Sequence, residues 1–404
     1  MQPPSFVRAL SRLGRVSSQN LSRKSPYGCR SMATRQRSSE NAPSLAILDD
    51  YLGLSHAHFS HIPASSLRIK VFDAHLPDGT DEERSALIAT LKPFTAISTM
   101  RERTAFPGWL LRELPNLEIL FCTGTQFETF DLPTAKALGV TVATAPGRGR
   151  TDRPNTRPNG QNIKKGGSHP ATHHTWAMLL ALARNIAADD AAIKRGGWQT
   201  DVAVGLAGKT LGLVGLGRLG AAVARVGILA FGMKAVCWSA SLDQEKADRA
   251  ASDLGLPTED ANGDKTFRVV EKHELFRTAD VVSVHYVLSE RSRGIIGAKE
   301  LHLMKKDALL VNTSRGPLID QNALLDVVNQ GHIKGVALDV FDTEPLPVRS
   351  PWRRTDWGLN GSSRVLLTPH MGYVEDGIMA AWYGETAENV ERWLSGREIL
   401  HRLT

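Results

Sequence analysis

The sequence predicts an α/β protein built on two parallel sheets. Three observations predict it. Short apolar runs alternate with helical patterns from Ser44 to Val142, the alternation begins again at Gly208 and runs to Thr368, and a strand–glycine turn–helix segment opens the second stretch. Strands that alternate with helices pair in parallel, because each helix carries the chain back to the same edge of the sheet. A chain of 404 residues is long enough for two such units.

In the first stretch, Leu45–Leu48 reads as a strand ended by Asp49-Asp50. Leu67–Phe72, Ala96–Ser98, Leu117–Cys122 and Val140–Val142 read as further strands, with helices over Glu82–Leu91 and Leu132–Leu138 between them. Residues 147–170 break the pattern. Rich in Pro, Gly, Asn and basic residues and without apolar periodicity, they read as a disordered surface loop. Thr175–Ile186 is a strongly apolar helix, and Glu375–Trp393 forms a last one.

Charge argues against nucleic acid as a partner. The formal net charge is +7. Residues 1–44 carry eight basic side chains and one acid, Glu40, so this segment holds the whole excess and the other 360 residues sum to zero. A nucleic-acid binder keeps its basic stripe on the folded body. In the leader, Phe6, Leu10, Leu13 and Val16 recur at helical spacing with Arg8, Arg12 and Arg15 between them, which reads as a mitochondrial transit peptide. A start at Met32 would instead leave the protein cytoplasmic. No segment approaches the ~20 continuous apolar residues of a membrane span. The three cysteines, Cys29, Cys122 and Cys237, are too few and too scattered for a disulfide framework.

Thr210–Val214 is a compact apolar strand, followed at once by Gly215-Leu216-Gly217-Arg218-Leu219-Gly220 and a helix over Ala221–Ala230. This is the GxGxxG fingerprint in the setting it needs. The first glycine permits the turn, the second admits a pyrophosphate, and the third lets helix and strand pack closely. The phosphate charge then meets the free N–H groups at the helix start. The next strand, Lys234–Trp238, ends at Ser239, where a carboxylate would bind the ribose hydroxyls of NAD. With neither a carboxylate nor a following Arg, the choice between NAD and NADP stays open.

Further on, Thr278–His285 joins a helix end to a strand, and Ala308–Asn312 is another apolar strand. Asn312-Thr313-Ser314-Arg315-Gly316, Leu338-Asp339-Val340-Phe341-Asp342-Thr343-Glu344-Pro345 and Thr368-Pro369-His370-Met371-Gly372 follow. Arg315, Asp339, Glu344 and His370 each fall just past an apolar strand, where open α/β sheets bind ligands. Taken singly, Arg315 could be a cap, Glu344 a surface acid and His370 a turn residue. Together they make a catalytic set.

With these motifs in order, residues 45–145 and 172–395 resemble the D-isomer-specific 2-hydroxyacid dehydrogenases. The resemblance implies two Rossmann-like domains. A doubly wound dinucleotide-binding domain, residues 171–372, would be inserted into a flavodoxin-like substrate domain made of 45–146 and 373–404. It implies an oxidoreductase that moves a hydride between NAD(P)H and a small 2-keto or 2-hydroxy acid, in a family that usually forms dimers. Arg315 would bind the substrate, His370 would be the acid/base, and Glu344 would orient it. Gly215, Gly217, Arg218, Leu219, Gly220, Ser239, His285, Thr313 and Asp339 would hold the cofactor, with Asp339 near the nicotinamide carboxamide. Thr123-Gly124-Thr125 would offer backbone N–H groups to the substrate carboxylate, and Met100–Thr104 would lie near the cleft mouth. The residue types suit the chemistry. Imidazole exchanges a proton near neutral pH, and guanidinium matches a carboxylate while stabilising charge on a carbonyl oxygen.

The chain departs from the family pattern after Pro146-Gly147, where some twenty extra residues precede Ala171-Thr172-His173-His174, and His173 replaces the usual Glu. His169, His173 and His174 invite a metal-site reading, but no Cys or acid at ligand spacing supports it, and no metal is expected. Two other functions fit parts of the same pattern: a dinucleotide-sensing corepressor of the C-terminal-binding-protein type, and a relative disabled by the insert.

Overall fold

A computed structural model describes residues 42–153 and 169–404. The expectations for the leader up to residue 41, and for 154–168 of the insert, lie outside the described residues. The described chain forms two all-parallel sheets, as expected. The smaller contains β1 (Ser44–Ile47), β2 (Arg68–Val71), β3 (Ala96–Thr99), β4 (Ile119–Thr123) and β5 (Thr141–Ala145), in the order β2-β1-β3-β4-β5. The larger contains β6 (Thr210–Val214), β7 (Lys234–Trp238), β8 (Phe267–Val269), β9 (Val281–Val284), β10 (Leu309–Asn312), β11 (Gly335–Leu338) and β12 (Arg364–Leu367), in the order β12-β11-β10-β9-β6-β7-β8.

Strands such as β4, β9, β10 and β11 are buried at every position. Helices cover both faces of the larger sheet, so its strands read as unbroken apolar runs. The small sheet also has a core on each face. The helix Asp376–Leu394 covers one of them, packing on β4 and β5 although it follows the last strand of the other sheet. The order in which successive strands are added reverses between β6 and β9 in the large sheet, and between β1 and β3 in the small one, while all strands stay parallel. Loops leaving the carboxyl ends on either side of such a reversal splay apart and leave a crevice.

Two expectations need correction. The helix expected over Thr175–Ile186 runs from Pro170 to Ala183. It begins earlier because the His169 side chain accepts from the Ala171 N–H at 3.2 Å and Pro170 suits the first turn. It ends where Asn185 turns left-handed at φ 56°. The loop expected to be disordered from residue 147 is folded over its first seven residues, 147–153. Three carboxylates on one face of the helix Asp376–Leu394 hold this segment. Glu385 accepts from the N–H groups of Gly147 and Gly149, Glu388 from Thr151 N–H at 2.7 Å, and Glu391 from Arg150 Nη2 at 2.7 Å.

Candidate active site

Register brings the motif residues to one edge. Leu367 pairs with Leu338, Leu338 with Asn312, Asn312 with Val284, and Val284 with Val214, which pairs with Trp238. The residues after each therefore emerge side by side: His370, Asp339, Arg315, His285, Gly215 and Ser239.

At the start of this row, the glycine turn divides its labour as the fingerprint predicts. Gly215 has φ 101°, and a Cβ there would lie 2.7 Å from the His285 carbonyl oxygen. A Cβ on Gly220 would lie 2.2 Å from the Gly215 oxygen. A Cβ on Gly217 would meet nothing within 4 Å, and no side chain caps the helix Arg218–Phe231 that follows. Gly215 and Gly220 pack, and Gly217 faces open space at a helix N-terminus, which fits a pyrophosphate. Arg218 is exposed beside it and Leu219 is partly buried. Ser239 starts a turn in which Leu242 N–H donates to the Ser239 carbonyl at 3.2 Å. Thr313 Oγ1 lies 2.6 Å from Thr175 Oγ1, tying the helix Pro170–Ala183 to this edge. His285 bonds Ser283 Oγ at 2.8 Å, and desolvation pushes its pKa down to about 4, so the ring is neutral near pH 7.

His370 stands at φ 54°, a left-handed conformation that costs a non-glycine residue energy and holds only when its surroundings impose it. Asp339 imposes it. This carboxylate, fully buried, accepts from Met371 N–H at 2.7 Å, Gly372 N–H at 2.9 Å and the Thr368 hydroxyl at 2.6 Å, and meets His174 Nε2 at 3.1 Å. The Asp339 carbonyl also accepts from His370 N–H at 2.8 Å. Burial alone would raise the Asp339 pKa. The bonds from His174, Thr368 and Met371 outweigh it and hold the carboxyl below its ordinary value. All this engages the carboxylate Asp339 was expected to turn toward the nicotinamide, and makes it the brace of the 368–372 loop.

Glu344 Oε1 accepts from Phe341 N–H at 2.8 Å, and its Oε2 lies 2.5 Å from His370 Nδ1. With Nδ1 taken, Nε2 is the imidazole nitrogen left for a ligand. His370 also lines a cavity of ≈ 680 Å³, together with Glu344, Tyr51, Leu52, Arg103, Trp352 and Tyr373 among others.

Arg315 is projected by a turn that Asn312 organises: its side chain donates to the Arg315 carbonyl at 3.0 Å and accepts from Ser314 N–H at 3.0 Å. Gly316 must follow, because a Cβ there would fall 2.1 Å from the Phe341 carbonyl carbon. The guanidinium crosses to the small sheet, where Arg315 Nη2 donates to Glu102 Oε1 at 2.7 Å. Glu102 Oε2 accepts from Arg101 Nε at 3.2 Å. Desolvation raises the Glu102 pKa, but Arg101, Arg315 and His370 together outweigh it and leave it lowered. Arg101, at φ 55°, lies over the Tyr373 ring with 4.4 Å between guanidinium carbon and centroid.

Sequence reasoning placed the segment holding Arg101 and Glu102 near the cleft mouth but gave neither a partner, weighed His174 only as a metal ligand, and missed Tyr373. The signal for the first two was present: Arg-Glu-Arg directly after a buried strand obeys the rule that singled out Arg315. Of the donors expected at Gly124 and Thr125, the fold itself uses that of Gly124. Gly124 N–H donates to the Ala145 carbonyl at 2.8 Å, and Thr125 N–H to Gln126 Oε1 at 3.2 Å. Tertiary pairing of β4 with β5 uses the first donor. His169 is a helix cap and His174 a partner of Asp339, so these two histidines serve the fold.

Residues 176–372 match the family model described as D-isomer specific 2-hydroxyacid dehydrogenase, NAD binding domain. A glyoxylate reductase of Aeropyrum pernix is 32% identical over 297 residues, 71% of this chain and 76% of that one. A D-3-phosphoglycerate dehydrogenase of Mycobacterium leprae is 32% identical over 80% of this chain, which spans only 53% of that longer protein. A solved structure of a phosphoglycerate oxidoreductase from Vibrio cholerae O395 superposes with a TM-score of 0.68 at 30% identity, covering 88% of this chain and 99% of that one. The fold, the glycine turn and these likenesses agree, and the chain belongs to the D-isomer-specific 2-hydroxyacid dehydrogenase family.

Proposed function

We propose that this protein interconverts a small 2-keto acid and its D-2-hydroxy acid, with Arg315, Glu344 and His370 as its working residues. The observation that carries this reading is the Glu344–His370 contact of 2.5 Å at the end of adjacent strands, beside an arginine whose ion pair reaches the same cleft. On this reading residues 171–372 face the dinucleotide, while 45–146 with 373–404 face the acid.

NAD or NADP would lie along Gly215, Gly217, Arg218 and Gly220, reach past Ser239, and supply or take the hydride. The protein's own residues do the rest. Arg315 holds the substrate carboxylate and spreads positive charge toward the reacting carbonyl oxygen. His370 gives a proton from Nε2 to that oxygen during reduction and takes it back during oxidation. Glu344, bonded at Nδ1, fixes the orientation of the ring and leaves Nε2 for the substrate. Asp339 fixes the loop that carries the imidazole.

Steady-state assays with the full chain test this. NADH and NADPH oxidation would be followed with glyoxylate, hydroxypyruvate, pyruvate and phosphohydroxypyruvate. Turnover with at least one acid is expected. Tight dinucleotide binding with no turnover on any of them would turn the reading toward a dinucleotide-sensing or inactive relative.

A further inference from the structure

We infer that Glu102 is a specificity-determining residue that occupies the Arg315 face as an internal carboxylate, so that an incoming acid must displace it. This rests on the reading of Arg315 as the substrate arginine. Three observations support it. First, Glu102 Oε1 lies 2.7 Å from Arg315 Nη2, the distance of a charge-assisted bond to a bound carboxylate. Second, the pair spans the cleft: Glu102 follows β3 of the small sheet and Arg315 follows β10 of the large one. An anion reaching Arg315 in this cleft therefore approaches a guanidinium that is already half used, since its Nη1 donates to the Ser314 carbonyl at 2.8 Å.

Third, Glu102 has somewhere to go. Its other oxygen already accepts from Arg101 Nε at 3.2 Å. Leaving Arg315 would not strand a buried charge, which would otherwise make displacement prohibitive. Arg101 itself is held in place by the rings of Tyr373 and Trp382, at 4.4 and 5.9 Å. The three charges sum to +1, so Arg101, Glu102 and Arg315 together accept one further carboxylate and become neutral. Without Glu102 the site would carry +2 and would hold any small anion. The carboxylate thus lowers affinity for carboxylates in general, and favours acids that make further contacts in the cleft.

The test is Glu102→Gln in the full chain, with Glu102→Ala as a second variant and a thermal melt to establish that each folds. Oxamate, an unreactive isostere of a 2-keto acid, would be titrated calorimetrically into protein saturated with dinucleotide, and KM would be measured for the best keto acid. Removing one partly exposed competing charge is expected to tighten oxamate and lower KM by roughly fivefold, with dinucleotide affinity unchanged. Weaker oxamate binding in both variants would make Glu102 a prop for Arg315 and overturn the inference, as would no change. The calorimetric arm stands without turnover. If the wild-type protein binds oxamate yet reduces no keto acid, the reading of the reaction fails while that of Glu102 is still decided. If oxamate binds to neither form, the inference fails.

Discussion

The two sides of the cleft are held in place by different means. On the large sheet, the turns that carry the proposed working side chains are shaped largely by partners in their own loop or the next one. Asn312 shapes the turn before Arg315, Glu344 folds back on Phe341 N–H, and Asp339 gathers Thr368, Met371 and Gly372. On the small sheet, the residues facing them are fixed by elements remote in sequence. Arg101 leans on Tyr373 and Trp382, Asp50 accepts from the Tyr383 hydroxyl at 3.2 Å, and the Gly124 N–H is claimed by β5. Local fixing leaves a motif in the sequence; remote fixing leaves none. The difference also predicts where substitutions act on chemistry and where they act on stability.

The largest effect is expected at the imidazole. His370→Ala should lower turnover by about 10²–10⁴-fold while dinucleotide affinity, read by fluorescence titration, stays within error. Activity surviving at wild-type rates would remove His370 from the mechanism. Next comes the brace. Asp339→Ala strands two loop N–H groups and a hydroxyl, and should cost about 3 kcal/mol in urea unfolding as well as most activity. An unaltered melt would mean that the loop is held by something else. Because the Asp339 carboxyl is held below its ordinary value near 3.8, its contribution is complete above that pH and is lost as pH falls further.

His285 gives a second pH signature with the same direction and a different window. The unfolded ring takes a proton near 6.5, whereas the folded ring refuses it until about 4. Stability from this source is full above 6.5 and declines toward 4, by at most about 3 kcal/mol. Unfolding free energies at pH 7.5 and 4.5 should differ less in His285→Asn than in the wild type, and equal differences would refute the assignment. The smallest effect is expected at the ribose end. Ser239→Asp puts a carboxylate where a 2′-phosphate would lie, and should weaken NADPH relative to NADH by roughly tenfold. A parallel change for both dinucleotides would place Ser239 outside the ribose contact.

Periodicity and glycine spacing alone determined the two-sheet α/β architecture, the dinucleotide turn at Gly215–Gly220 and the row of polar residues after β10, β11 and β12. These follow from local rules: strand length, the helix period, and the room a phosphate needs. Only the tertiary structure decided that Glu102 meets Arg315, that Asp339 braces a loop, that residues 147–153 lie along a helix, and that the Gly124 N–H is already used. Those contacts join residues tens to hundreds of positions apart, and no local pattern records a distance that exists only once two sheets have packed.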